Sequence, residues 1–307
     1  MKFIMMRVRN DDVAHLGVLL NDNIAVDITA TQPDSIFASL INLIEAGPSA
    51  LEEVKVLVQT SDHRLYSGDY IITAPIPRPT QFRDSMCFFQ HIEQCAKARL
   101  AVDERDNYQL PEIYKQQPVY YIGNRLNVSA PNADIIWPRY SKLMDFELEL
   151  ACVIGKQAKN LTPATALDHV FGFTIFNDFS ARDAQGIEMQ GRLGPAKGKH
   201  FDGANVFGPC VVTADEIGDP HNLRMKARVN GETWCDNSSS TMNWRFGELL
   251  AHISADETLY PGEIIGSGTV GNGCGLEHSR FLNNGDIVEL EIEKIGVLRN
   301  RITVQQY

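Results

Sequence analysis

The segment Asp145-Phe146-Glu147-Leu148-Glu149-Leu150 constrains this chain more than any other. Acidic and apolar residues alternate strictly, the period-2 pattern of a strand with two unlike faces. Asp145, Glu147 and Glu149 then share one face, and Phe146, Leu148 and Leu150 share the other, which points into a core. The apolar run Ala151-Cys152-Val153-Ile154 follows directly, so the acidic face enters the interior with its strand. Carboxylates placed there repel one another and lose solvation. A divalent cation removes both penalties, and oxygen ligands suit Mg2+, Mn2+ or Ca2+ better than Zn2+. On its own, the pattern also fits a half-exposed strand with a solvated acidic face.

Strands are predicted at 119–122, 147–154, 172–177, 205–213, 224–229, 263–266, 286–293 and 296–304. Helices are predicted at 88–101, at 163–169 behind a Thr162 cap with Pro163 in first position, and at 243–254. Strands and helices do not alternate regularly, which argues against a doubly wound or barrel architecture. The expected class is α+β, mainly β: a mixed β-roll or sandwich with peripheral helices. Residues 1–77 read as a small separate module with α/β character. Its strands around 17–20 and 24–27 flank a turn at Asn21-Asp22-Asn23. A helix at 35–46 stops at Gly47, and a second, capped by Ser49, runs to about residue 59. Pro75, Pro77 and Pro79 place the boundary to a second domain at 78–307.

With 39 acidic and 28 basic residues the net charge is -11, and no basic stripe suggests a nucleic-acid partner. No apolar run is long enough to span a membrane, and residues 1–10 are too short and too interrupted for a signal peptide. The six cysteines lack CxxC spacing and read as reduced and mostly buried, which predicts a cytoplasmic protein.

Asp178 ends an apolar strand and precedes a helix, where it either ligates a cation or, like Ser180, merely caps. His91 lies on the amphipathic segment after Phe82-Arg83-Asp84-Ser85, as a catalytic base or as a satisfied core histidine. Residues 186–199 are Gly-rich and polar, either a lid that closes on substrate or a plain surface loop. The glycines at 271–275 precede no helix and argue against dinucleotide binding, while Ser267 lacks the Gly-x-Ser-x-Gly context of a serine hydrolase.

Taken in order, Asp145-x-Glu147-x-Glu149, Asn177-Asp178-x-Ser180-Ala181-Arg182-Asp183-x-Gln185, Gly198-Lys199-x-Phe201, Gly266-Ser267-Gly268-Thr269, Gly285-Asp286 and Gly296-Val297-Leu298-Arg299-Asn300 form an ordered set. The series resembles the fumarylacetoacetate hydrolase family over about residues 78–307. The resemblance implies a mixed β-roll, a homodimer and a divalent cation held by Glu147, Glu149 and Asp178. Longer members add a ligand at the position of Asp84 and a general base at that of His91. Arg182, Gln185 and Lys199 match residues that contact substrate, as do Tyr121 and Thr269. The implied chemistry is hydrolysis of a carbon–carbon bond in an acylpyruvate-type 1,3-diketo acid, on Mg2+, Mn2+ or Ca2+, with His91 activating water. Decarboxylation of an oxaloacetate-type acid and dehydration of a 2-oxo-3-deoxy sugar acid are alternatives on the same site.

Two departures stand out. Shorter members carry a glutamate three residues after the histidine, where this chain has Gln94, and Met86 replaces a common aromatic. Glu277 is therefore the preferred partner of His91, with Glu93 as the other candidate. Gln94 also leaves open a protein that binds small acids without turning them over.

Overall fold

The computed structural model describes residues 1–9, 11–21 and 24–305, so Asp22 and Asn23 of the expected turn lie outside the described residues. Its main sheet runs in the order 64–66, 24–27, 14–21, 2–8, 205–213, 170–178, 147–154, 264–274, 82–85, 120–122. The Lys2–Val8 strand is bonded to Asn205–Thr213, so the N-terminal segment and the later strands share this sheet. A second sheet joins 232–238, 224–229, 287–292, 296–303 and 134–136. The architecture is mixed α/β, with large mixed sheets and peripheral helices.

The strand Glu147–Ile154 lies between Val170–Asp178 and Ile264–Cys274, and every residue in it is buried. One face sends Phe146, Leu148, Leu150 and Cys152 into the larger core with Phe173, Phe246 and Leu290. The other face changes character along its length. Ala151 and Val153 pack under Phe3, Leu40 and Val54, in the core covered by the helices Leu40–Ala46 and Pro48–Thr60. Glu147 and Glu149 lie beyond that cover, at the functional end of the strand. Behind the acids stand Phe82, Phe176 and Phe207, with ring centroids 4.7–5.3 Å apart. Phe82 precedes Asp84 by two residues and Phe176 precedes Asp178 by two, so each acid stands one pleat step from an apolar floor.

Several local expectations change. The helix expected at 35–46 divides into a 3-10 turn at Ser35–Phe37 and a helix at Leu40–Ala46, because the Ser39 hydroxyl accepts the Asn42 N–H and restarts the helix there. The following helix begins with Pro48 after Gly47, so Ser49 is not its cap. At 163–169 only a 3-10 turn at Ala166–His169 forms, and it is the Thr162 carbonyl that accepts the N–H groups of Thr165 and Ala166. The strand expected at 263–266 extends to Cys274, so most of the Gly-rich stretch is strand rather than loop. All six cysteines are free and buried.

Candidate active site with a carboxylate cluster

Ligand-type oxygens of Asp84, Glu149 and Asp178 lie within 4.8 Å of one another, on three strands. Asp84 and Glu149 do not sit on adjacent strands; the Ile264–Cys274 strand runs between theirs. Gly266 lets them meet across it. A Cβ there would stand 2.9 Å from Glu149 Oε2 and closer still to Asp84 Oδ1. Glu149 accepts the Gly268 N–H at 3.0 Å and the Thr269 hydroxyl at 3.4 Å. Asp84 Oδ1 and Asp178 Oδ1 are buried without a hydrogen-bond partner. Burial, reinforced by Asp84, pushes the Glu149 carboxyl well above its usual range. Burial raises Asp178 to about 7 against the opposing charge of Lys199, and raises Asp84 too. Two carboxylates with no ion pair among the described residues, Asp84 and Glu149, orphaned oxygens on Asp84 and Asp178, and a glycine cradle together fit a hard divalent cation.

Glu147 faces other partners. Its Oε1 accepts from Arg182 Nη2 at 2.7 Å, and its Oε2 meets Lys199 Nζ. Burial raises its proton affinity, but the Arg182 and Lys199 charges outweigh that and hold it ionised. Against the Ile264–Cys274 strand the register slips, with Glu147 opposite Cys274 and Glu149 opposite Thr269, so the two acids face different stretches of that neighbour. Lys199 Nζ also reaches Asp178 Oδ2 at 2.5 Å, and the Tyr121 hydroxyl donates to the same oxygen at 3.0 Å.

His91 sits on the helix Phe89–Arg99 and is 7% exposed. Its Nδ1 lies 3.2 Å from Glu277 Oε1, and its Nε2 lies 3.7 Å from Glu147 Oε1. Burial opposes a charge on this imidazole, but Glu277, with hydrogen bonding to Cys274 and Glu277, raises it to about 10. Glu277 is itself fixed, accepting the Asn272 and Cys274 N–H groups at 3.0 and 2.9 Å. Gln94 is a strut for that turn: its side chain donates to Asn272 Oδ1 and accepts from Asn272 N. Glu93 is half-buried on the same helix.

A cleft of about 380 Å³ opens on Asp84, His91, Tyr121, Glu147, Glu149 and Thr269, among others. That is near the small end of the ligand-pocket range, about 300–1,000 Å³. Arg182, Gln185 and Lys199 also face it. Asp145, on the expected acidic face, accepts from Arg182 Nε at 2.8 Å and from the Gly275 and Leu276 N–H groups. Its work is to hold Arg182 and the Glu277 turn together. Arg182 Nη1 in turn donates to Gln185 Oε1 at 3.0 Å. Sequence reasoning missed Glu188, whose carboxylate accepts the N–H groups of Ala196, Lys197 and Gly198 and so places the loop that delivers Lys199. Within the segment read as a lid or loop, a helix runs to Glu188, a 3-10 turn spans Met189–Gly191, and Leu193 is 95% exposed.

Among the described residues, no helix is long and apolar enough to cross a membrane. The C-terminal family of fumarylacetoacetate (FAA) hydrolase matches residues 80–303. A Bos taurus protein named oxaloacetate tautomerase FAHD2A, mitochondrial, is 33% identical over 293 residues, covering 94% of this chain and 87% of that protein. Oxaloacetate tautomerase YisK of Bacillus subtilis (strain 168) is 30% identical, covering 94% of this chain and 95% of its own length. Among solved structures, the fumarylacetoacetate hydrolase of psychrophilic Exiguobacterium antarcticum superposes with a TM-score of 0.78 at 27% identity, covering 99% of this chain and 100% of that one. With the family match spanning most of its length and near-full-length relatives at this identity, the chain belongs to the fumarylacetoacetate hydrolase family.

Proposed function

We propose that this protein moves a proton at the carbon beside the carbonyl of a short 2-oxo dicarboxylic acid, interconverting the keto and enol forms of oxaloacetate or a close homologue. One observation carries the reading: an imidazole with Nδ1 on a fixed carboxylate and Nε2 turned to a cleft lined by buried acids. The names of the 30–33% identical relatives point to the same substrate.

Asp84, Glu149 and Asp178 would hold a divalent cation such as Mg2+ or Mn2+, with Glu147 adjoining. When bound, that ion supplies Lewis-acid polarisation of the substrate's 2-oxo and carboxylate oxygens. The rest falls to side chains. Glu277 accepts the Nδ1 proton of His91 and fixes the tautomer that leaves Nε2 as the working atom. Once deprotonated, His91 Nε2 takes the proton from the substrate's C3 in one direction and returns it in the other, so the abstracting form grows as pH rises toward the raised value of this imidazole. Lys199 and Arg182 offset the negative charge of the substrate in a site closed to much of the solvent. Because Arg182 occupies Gln185 Oε1, the Gln185 Nε2 group is left to donate to a substrate carboxylate.

A second reading is hydrolysis of a carbon–carbon bond in an acylpyruvate, which the His91–Glu277 pair also favours, since a base on a fixed carboxylate is what activating water requires. The decisive experiment follows the enol absorbance of oxaloacetate with Mg2+, alongside pyruvate and CO2 release and acylpyruvate cleavage. The expected result is rapid keto–enol exchange without either product. His91→Ala and Glu277→Gln should lower that rate by about 10²–10⁴ and about 10²-fold respectively, and Glu149→Ala should abolish metal-dependent turnover. Pyruvate release from an acylpyruvate outpacing keto–enol exchange would make the protein a hydrolase instead.

A further inference from the structure

We propose a second metal site, for a thiophilic divalent cation of the zinc type, formed by His91, Cys95, Cys274 and Glu277. Each of these side chains brings one ligand atom, and the four atoms lie within 4.8 Å of one another. The helix Phe89–Arg99 presents His91 and Cys95 one turn apart on one face. The end of the strand Ile264–Cys274 presents Cys274, and the turn after it presents Glu277.

The spacings fit a tetrahedron. Zinc bonds of about 2.3 Å to sulfur and about 2.0–2.2 Å to nitrogen or oxygen give tetrahedral edges of about 3.3–3.8 Å. Cys95 Sγ lies 3.8 Å from Cys274 Sγ and 3.7 Å from His91 Nδ1. Cys274 Sγ lies 4.0 Å from His91 Nδ1, which lies 3.2 Å from Glu277 Oε1. These four edges need adjustments of less than about half an ångström, and the remaining two, from each sulfur to Glu277, lie within 4.8 Å. Glu277 is already oriented by two backbone N–H groups, which is how outer partners usually prepare a ligand.

The donor chemistry separates this set from the carboxylate cluster. Two thiols and an imidazole select soft or borderline ions, whereas Asp84, Glu149 and Asp178 offer only oxygen. Both thiols are free, and among the described residues their sulfur atoms are bonded only to each other and to His91. His91 and Cys95 line the cleft, which gives an ion a way in. Binding displaces one proton from each thiol, and any proton on His91 Nδ1, to solvent. No electron changes hands.

The functional consequence rests on the role proposed above for His91 and Glu277. A cation on Nδ1 and the Glu277 carboxylate takes away the partner that sets the working tautomer, so the same ion silences proton transfer at C3. Binding itself does not depend on that role.

The test uses fully reduced protein with Mg2+ in excess to fill the carboxylate cluster. Titration with Co2+ should produce thiolate-to-cobalt charge-transfer absorption that saturates at one equivalent and is displaced by Zn2+. Cys95→Ser and Cys274→Ser should each lose at least about half of that absorption and weaken Zn2+ binding by at least about 100-fold, the upper end of the cost of losing even an outer partner. Wild-type turnover should fall as Zn2+ approaches one equivalent. Absence of the charge-transfer band, or Zn2+ bound equally by wild type and both variants, would overturn the site. If a variant fails to fold, the cobalt spectrum of the wild type decides alone. A full band with turnover unaffected leaves the site standing and removes His91 from the reaction. No band, with His91→Ala inactive, removes only the second site.

Discussion

Gly266 decides whether Asp84 and Glu149 can share anything. Their strands are separated by a third, and the two carboxylates meet only because the residue at the crossing has no side chain. Gly266→Ala puts a methyl against both acids. Overpacking of this kind costs about 1–3 kcal/mol, which on cation binding is roughly a 10- to 100-fold loss. Titration calorimetry with Mn2+ measures it, and wild-type affinity in the alanine variant would remove the proposed ligand pair. The sequence offered this glycine as part of a motif but carried no hint of its task, because the task exists only where three strands cross. Glu147 teaches the complementary lesson. Alternation put it in the interior, yet its pairing with Arg182 and Lys199, which arrive from later stretches of the chain, leaves no trace in the pattern.

At the scale of elements, the strand carrying Asp84 is short and held between two neighbours, pairing with Tyr120–Ile122 at Arg83, Asp84 and Ser85. Phe82–Ser85 pairs with Ile264–Cys274 through only two register positions, Phe82 with Ile264 and Arg83 with Ile265. An ion pair reinforces it: the Arg83 guanidinium, 4% exposed, meets both Glu263 and Glu257, and Glu263 is also buried. Arg83→Ala leaves Glu263 buried and unpaired, and breaking such a pair costs about 3–5 kcal/mol. The expected outcome is a lower urea midpoint; a variant as stable as wild type would show that the strand does not need this anchor. Elements with strong alternation were readable from the sequence. The strands at 147–154, 205–213 and 224–229 begin and end where the pattern puts them. Elements rich in glycine were not. The stretch 271–277 reads as a Gly-rich loop because glycine lacks strand propensity, but its first four residues continue the strand, where Gly268 and Gly271 let the backbone pass close to Ser85 and Gln90. Helix starts failed for a different reason: Ser39 and Ser49 look alike as caps, and only the neighbouring Pro48 separates them.

For the whole molecule, the N-terminal helices and the acidic site divide one face of one strand between them, apolar where Leu40 and Val54 cover it and charged beyond. The carboxylates therefore come together only after distant stretches of chain have taken their places in a common sheet. A ligand set of this kind has no counterpart in the unfolded chain and little in a half-assembled one. An ion bound there acts as a brake on the way out, since stabilisation absent from the transition state slows unfolding and leaves folding nearly unchanged. With Mg2+ at 100 times its dissociation constant, the gain is about 2.7 kcal/mol, roughly 100-fold in the unfolding rate. Stopped-flow unfolding with and without a chelator reads it directly, and a cation that accelerates refolding instead would mean that the acids gather early.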